Sequence, residues 1–150
     1  MKEIKVVAND KNFTSVNIGQ MSEIKDYELP MGDFFIPGKV FAGHSLQTTG
    51  AEISFQSLTP GQDYGTLHAH KTHEELYFFL KGEGIFELDG KQFPISEGSI
   101  VRIAPEGKRA FKNTGNEEML MLCVQYKANT FTDSDEPMND GIMLESNVKL

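Results

Sequence analysis

The chain has 150 residues and a formal net charge of −8 at neutral pH, from 22 acidic and 14 basic residues. A chain of this length buries roughly two-thirds of its unfolded surface, which is enough for one core without disulfides. Nucleic acids and anionic membranes bind basic surfaces, so the acidic balance argues against both as partners. We therefore expect a single domain.

The first residues and the cysteine content indicate a compartment. Residues 1–5 are Met-Lys-Glu-Ile-Lys, which lack the apolar stretch of a signal peptide, and no later segment reaches membrane-spanning length. The single cysteine, Cys123, excludes an internal disulfide, and its strand context favours a small buried apolar residue over a catalytic thiol. We therefore expect a cytoplasmic protein.

The N-terminal part of the chain, residues 1–32, holds two short apolar pieces at 4–7 and 13–18. They predict edge strands that pack on the main domain or on a partner. The apolar residues in and just beyond this part exceed what one thin domain covers, namely Phe13, Val16, Ile18, Phe34, Phe35 and Phe41. We therefore expect a homodimer.

From residue 51 onward, short apolar or alternating segments are separated by turn residues such as Gly, Pro and Asn. The segments span residues 51–58, 76–80, 85–88, 91–95, 99–103, 109–112 and 119–126. Asp89-Gly90 separates two of them and is a dipeptide favoured in two-residue type I′ hairpins. Short strands at this regular spacing predict an all-β sandwich or barrel, followed by a polar, acidic loop over residues 129–139.

One histidine pair has the spacing of metal ligands. His68 and His70 are separated by one residue, and Glu75 follows with four residues between. On an extended segment both rings point the same way, and a carboxylate on the next strand can return to the same point. Two histidines and one carboxylate form the triad that leaves open positions on Fe(II) and related divalent metals. The sequence therefore predicts a metal site inside a sheet.

Further residues are candidates for lining the same cavity. Tyr77 and Phe79 share strand parity with Glu75, so they line the cavity if Glu75 points inward, although ordinary core packing explains them equally well. Gln56 lies on the polar face of the preceding strand and faces either solvent or the pocket. We take Tyr77, Phe79 and Gln56 as candidate substrate-binding residues.

Two stretches resemble the motifs of the cupin superfamily. Residues 60–82 resemble the first motif, in which a Gly precedes His-x-His, a Glu follows after three or four residues, and a Gly follows after six more. Residues 98–113 resemble the second motif but lack its histidine. Counting back from the Asn of the motif places Arg109 at that position, and counting forward from its Pro-x-Gly turn places Ala110 there.

The resemblance implies a small, single-domain barrel of the cupin 2 type, which is a double-stranded β-helix or jelly roll. We expect N-terminal strands over residues 1–32, the barrel over 33–128 and a C-terminal tail over 129–150. The implied cofactor of the histidine and glutamate group is a divalent metal, either Fe, Mn, Ni or Zn. The implied function is a metal-dependent isomerase, epimerase or dioxygenase acting on a sugar or keto acid. The alternative is a non-catalytic ligand-binding or sensing cupin with a metal-poor site.

Arg109 separates these alternatives. A guanidinium has only hydrogen-bond donors, so Arg109 cannot replace a histidine as a metal ligand. If it points inward, it can bind a substrate carboxylate or phosphate in a bidentate fork beside the metal. In the other arrangement Arg109 pairs with Glu75, the metal is lost, and the cavity is built around a salt bridge, which favours binding over catalysis.

Overall fold

Strands make up nearly all the regular structure of the computed structural model, which describes residues 2–64 and 66–145. The last five residues of the predicted C-terminal tail, 146–150, lie outside the described residues. The strands are β1 Lys5–Asp10, β2 Phe13–Asn17, β3 Glu28–Met31, β4 Phe34–Pro37, β5 Lys39–Phe41, β6 Ala51–Leu58, β7 His73–Lys81, β8 Glu83–Leu88, β9 Lys91–Ser96, β10 Ile100–Ile103, β11 Arg109–Asn113 and β12 Met119–Lys127.

The helical segments are short. They are α1 Gly43–Leu46, α2 Pro137–Asp140, and 3-10 turns at Met21–Asp26 and Asp133–Asp135. Across the described part of the chain, every helix falls short of the length and apolar character that a bilayer crossing requires. The segment 129–139, predicted as loop, contains the 3-10 turn Asp133–Asp135 and most of α2.

Two antiparallel sheets enclose the core. One has five strands in the order β10-β7-β12-β6-β5, and the other has three in the order β11-β8-β9. Aromatic rings from both sheets meet edge to face between them, with Tyr77 5.5 Å from Phe111 and Phe79 6.3 Å from Phe86, measured between ring centroids. The predicted all-β barrel is confirmed, and each predicted strand from residue 51 onward is present.

The Asp89-Gly90 turn is also confirmed. It links β8 to β9 with two residues, whose φ angles of 51° and 79° are both positive, as a type I′ turn requires. Asp89 is further tied to the segment that leads into β11, because Lys108 N donates to its Oδ1 at 2.9 Å and Asp89 N donates to the Lys108 carbonyl at 2.9 Å. The turn thereby helps to fix where β11 begins.

The histidine segment differs from the prediction of a strand. His68 makes only an isolated bridge with Arg109 of β11, and residues 69–72 lie outside any regular strand. The chain passes here from the end of β6, in the larger sheet, along β11 of the smaller sheet and back to β7. A segment that changes sheets cannot keep a continuous ladder, which explains why extended backbone is present without a full strand.

The N-terminal residues form two hairpins, β1 with β2 and β3 with β4. The β3–β4 hairpin extends across residue 32, so the predicted division between N-terminal strands and barrel passes through its tip. That division stays a prediction. Phe34 and Phe35 on this hairpin are 59% and 53% exposed, which leaves apolar surface uncovered in one copy of the chain.

Candidate metal centre

His68, His70 and Glu75 converge inside the barrel. One ligand atom from each residue lies within 4.8 Å of the other two. His70 Nε2 is 3.1 Å from Glu75 Oε1, both rings are half-buried, and the Glu75 side chain is only 2% exposed. Metal–nitrogen and metal–oxygen bonds of about 2.0–2.2 Å can reach one ion from such positions after small side-chain movements. The three groups could therefore hold a single divalent cation.

The two oxygens of Glu75 have different partners. Oε1 accepts hydrogen bonds from Gln125 and faces His70, whereas Oε2 accepts from Arg109 Nη2. Burial by itself would raise the pKa of Glu75, but the positive charge of Arg109 and the hydrogen bond from Gln125 outweigh it and hold that pKa below its usual value. The carboxylate is thus ionised at neutral pH, which is the form that binds a metal.

Gln125 is a site residue that the sequence analysis missed. It lies on β12 directly opposite Glu75 on β7, and its Nε2 is 3.2 Å from His70 Nε2. The available signal was a polar residue within an otherwise apolar strand, but the pairing that sets Gln125 opposite Glu75, on the same face, comes from the structure. Its amide joins the carboxylate to the imidazole.

Arg109, and not Ala110, occupies the inward position on β11. Its side chain is 1% exposed, while Ala110 is partly exposed. Nη2 donates to Glu75, and Nη1 donates to the carbonyls of His68 at 3.3 Å and Gly107 at 3.5 Å. Protein groups thus hold both Nη atoms, while Nε has no hydrogen-bond partner among the described residues. The ion pair of the second alternative is present, and Glu75 Oε1 still faces His70. A role for Arg109 in substrate binding stays a prediction.

His68 carries an unsatisfied buried nitrogen. Among the described residues, its Nδ1 has no hydrogen-bond partner, while the ring of Tyr64 stacks on the imidazole with centroids 5.2 Å apart. Burial, aided by the charge of Arg109, lowers the pKa of His68 below its ordinary value, so the ring is neutral at neutral pH. A neutral imidazole with an unused nitrogen, beside an ionised carboxylate, fits a divalent metal.

The three other candidate residues have different surroundings. Tyr77 is buried, and burial raises the pKa of its hydroxyl well above the ordinary value, with Cys123 and Glu75 adding to the rise. Phe79 packs in the aromatic core against Phe86, one side-chain layer beyond Tyr77. Gln56 is buried and lies on the barrel face of β6, which excludes the solvent-facing alternative. Their roles in substrate binding stay predictions.

Gln125 also lines an open cleft. The cleft is bounded by α1, the first residues of β6 and the last residues of β12, and includes His44, Glu52 and His73. The three candidate ligands are not among its lining residues, so Gln125 lies between the cleft and the metal group.

Comparison with known proteins identifies the family. The model described as "Cupin domain" matches residues 54–125. A solved cupin protein from Bacteroides fragilis is 34% identical, with a TM-score of 0.68 over 71% of this chain and 89% of that chain. Two curated relatives are an uncharacterized protein from Methanocaldococcus jannaschii, 30% identical over 80 residues, and the oxalate-binding protein of Thermotoga maritima, 37% identical over 67 residues.

The matches with the curated relatives cover 53% and 45% of this chain and 64% and 54% of theirs, so the chain spans a little over half of their length. The cupin from Bacteroides fragilis, in contrast, is matched along 89% of its chain. With that match, two facing antiparallel sheets and a histidine and glutamate group between them, this chain belongs to the cupin superfamily.

Proposed function

We propose that this cupin binds a divalent metal ion through His68, His70 and Glu75 and uses the ion to hold a small carboxylate ligand. The observation that carries the proposal is the convergence of an ionised carboxylate and two imidazoles at one buried point. The curated name of the Thermotoga maritima relative, an oxalate-binding protein, supports a carboxylate as the ligand class.

Two residues that contact Glu75 have distinct parts in this function. Arg109 holds Glu75 through Oε2 and leaves Oε1 directed toward His70. The Gln125 amide, on the neighbouring strand β12, donates a hydrogen bond to Oε1. A bound metal supplies a Lewis acid with positions open to a ligand oxygen, since three protein ligands do not fill an octahedral shell.

A metal-dependent enzyme acting on a keto acid or sugar is the second candidate function. The observation that favours it is the buried Tyr77 hydroxyl, which stays protonated next to Glu75 and can donate a hydrogen bond to a substrate oxygen. Isomerisation, epimerisation and dioxygenation are the reaction types to be tested. Turnover of a panel of keto acids and sugars by the metal-loaded protein, followed by NMR with and without oxygen, separates this function from binding alone.

Metal content tests the leading proposal. The protein is purified without a histidine tag, and its metal is measured by elemental analysis and by titration with Mn²⁺, Fe²⁺, Ni²⁺ and Zn²⁺. We expect about one ion per chain in the parent and none in a His68→Ala, His70→Ala double variant that retains its circular dichroism spectrum. His44→Ala, at an exposed position, is the control and should bind metal as the parent does. A double variant with parental metal affinity would contradict the assignment.

A further inference from the structure

Lys39 is a buried cation that faces the interior of the barrel. Its side chain is on β5, where it pairs with Gln56 of β6, and the residue is only 8% exposed. Directly opposed residues on neighbouring strands point to the same face, so Lys39 projects to the same side as the buried Gln56. Gly38, the residue before Lys39, packs directly against β6. Its φ is +67°, and a Cβ there would lie 2.6 Å from the carbonyl oxygen of Ser57, so a larger residue does not fit.

The charge of Lys39 lacks a counter-ion among the described residues. Its ammonium has three donors, and the hydrogen bond found for it is to the Tyr64 hydroxyl at 3.1 Å. No ion pair within the described part of the chain includes Lys39. The rings of Phe41 and Tyr64 lie 5.3 and 5.1 Å from its Nζ and provide partial compensation through cation–π contacts. A buried ammonium of this kind favours the approach of an anion.

Tyr64 connects Lys39 to the candidate metal group. Its hydroxyl accepts the hydrogen bond from Lys39, and its ring stacks on His68, with ring centroids 5.2 Å apart.

The two interior cations differ in what they leave free. Arg109 has both Nη atoms held by Glu75 and backbone carbonyls and only Nε without a partner among the described residues. Within the same residues, the Lys39 ammonium makes one hydrogen bond, to the Tyr64 hydroxyl. Gln56, the cross-strand neighbour of Lys39, is also buried, with 4% of the residue exposed. Two donors of the Lys39 ammonium therefore remain for a ligand in the interior.

We propose that Lys39, positioned by Tyr64, binds the anionic group of the ligand that the metal does not neutralise, and that the ligand is a short dicarboxylate. This inference rests on the proposed metal and carboxylate function. One carboxylate lies at the His68, His70 and Glu75 group, and the remaining negative charge lies against Lys39. The Gln56 amide supplies a further donor. Lys39 thus selects dianions over monocarboxylates.

The experiment compares a dicarboxylate with a monocarboxylate in matched variants. Oxalate and acetate are titrated by calorimetry into the parent, Lys39→Met, Tyr64→Phe and Lys91→Met proteins, each with Mn²⁺ and without metal. Lys91→Met removes the same charge from an exposed strand position and is the control. Lys39→Met should bind Mn²⁺ like the parent, lose at least tenfold in oxalate affinity and change less than twofold for acetate. Tyr64→Phe should weaken oxalate binding by a few fold.

The outcomes separate this inference from the function on which it rests. Parental oxalate affinity in Lys39→Met, or an equal loss for oxalate and acetate, overturns the role of Lys39 and leaves the metal function intact. Oxalate binding that depends on Lys39 but not on Mn²⁺ supports Lys39 and overturns the metal function. A parent protein that binds oxalate neither with nor without Mn²⁺ overturns both. If Lys39→Met does not fold, Tyr64→Phe decides, and parental oxalate affinity in that variant counts against the proposal.

Discussion

Arg109 places a permanent positive charge where the second cupin motif has a histidine. The consequence is a group of three candidate metal ligands, in which a guanidinium donates to the carboxylate oxygen that faces away from His70. Partners of metal ligands that lie outside the coordination shell fix ligand orientation and tune affinity. We therefore propose that Arg109 positions Glu75 and does not itself bind the metal.

Replacement of Arg109 by lysine tests this positioning role. Lysine keeps the charge but loses the planar fork that contacts Glu75 and the backbone carbonyls together. We expect Arg109→Lys to reduce metal affinity by about 10- to 100-fold, measured by competition with a chelator. Arg102→Lys, which alters a partly exposed ion pair with Glu74, should change it little. Metal affinity and ligand binding equal to those of the parent would show that Arg109 is purely structural.

Removal of the guanidinium should be costly for folding. Arg109→Met leaves the buried Glu75 carboxylate without its cation, and breaking a buried pair in this way typically costs about 3–5 kcal/mol. Urea unfolding of the metal-free protein measures the loss. Adding Glu75→Gln to Arg109→Met should recover much of it, because the unpaired charge is then gone. A single variant with parental stability would contradict the interpretation.

The lowered pKa of His68 predicts a pH dependence of stability. Since its pKa is below the ordinary value of about 6.5 in the folded state, the unfolded chain takes up the proton first as the pH falls. The metal-free protein should therefore lose stability as the pH drops below about 6.5. Urea unfolding between pH 7.5 and 5 should show a shallower loss for His68→Gln than for the parent. Parallel profiles for the two proteins would contradict it.

At the scale of the elements, Gly82 joins β7 to β8 in a conformation that few side chains tolerate. Its φ is +84°, and a Cβ there would lie 2.8 Å from Cα of Met119. Gly82→Ala should therefore lower the free energy of unfolding by about 2–4 kcal/mol, from the left-handed backbone and from crowding of β12. Gly50→Ala is the matched control, because its Cβ would meet open space, and it should change stability by less than about 1 kcal/mol. Equal effects of the two substitutions would disprove the crowding.

The strands could be predicted from the sequence because their signals are local. Alternation, turn residues and the Asp89-Gly90 dipeptide depend on neighbours along the chain, and the structure has strands at those places. The His68 segment could not be placed, because its conformation depends on a crossing between two sheets. Gln125 required knowledge of which strand pairs with β7.

Lys39 shows the same limit more sharply. A lysine in a three-residue strand, next to Val40 and Phe41, has the pattern of a solvent-facing residue on an edge. Its burial arises because Tyr64, 25 residues away in sequence, closes over it. The residue that replaces the histidine of the second motif, in contrast, could be limited to Arg109 or Ala110 from spacing alone. The structure then identifies it as Arg109, because Arg109 is buried on β11 and Ala110 is partly exposed.

At the scale of the whole molecule, the exposed apolar residues of the N-terminal hairpins predict assembly. We expect a homodimer whose interface includes Phe34 and Phe35 at the β3–β4 hairpin. Sedimentation should give a dimer at micromolar concentration for the parent and a monomer for the Phe34→Ser, Phe35→Ser variant. Phe131→Ser, at an exposed position near the C-terminus, should leave the dimer intact. A monomeric parent would remove the prediction.

Cys123 is the only cysteine of the chain, and its thiol is buried, so its reactivity reports transient opening of the barrel. With a pKa near 12 and β-strands on both sides, this sulfur cannot react with iodoacetamide until the barrel opens. Its alkylation rate under native conditions therefore measures how often the two sheets separate. If separation also releases the ion, Mn²⁺ at 100 times its dissociation constant should slow alkylation about 100-fold, and no label has to be engineered into the chain.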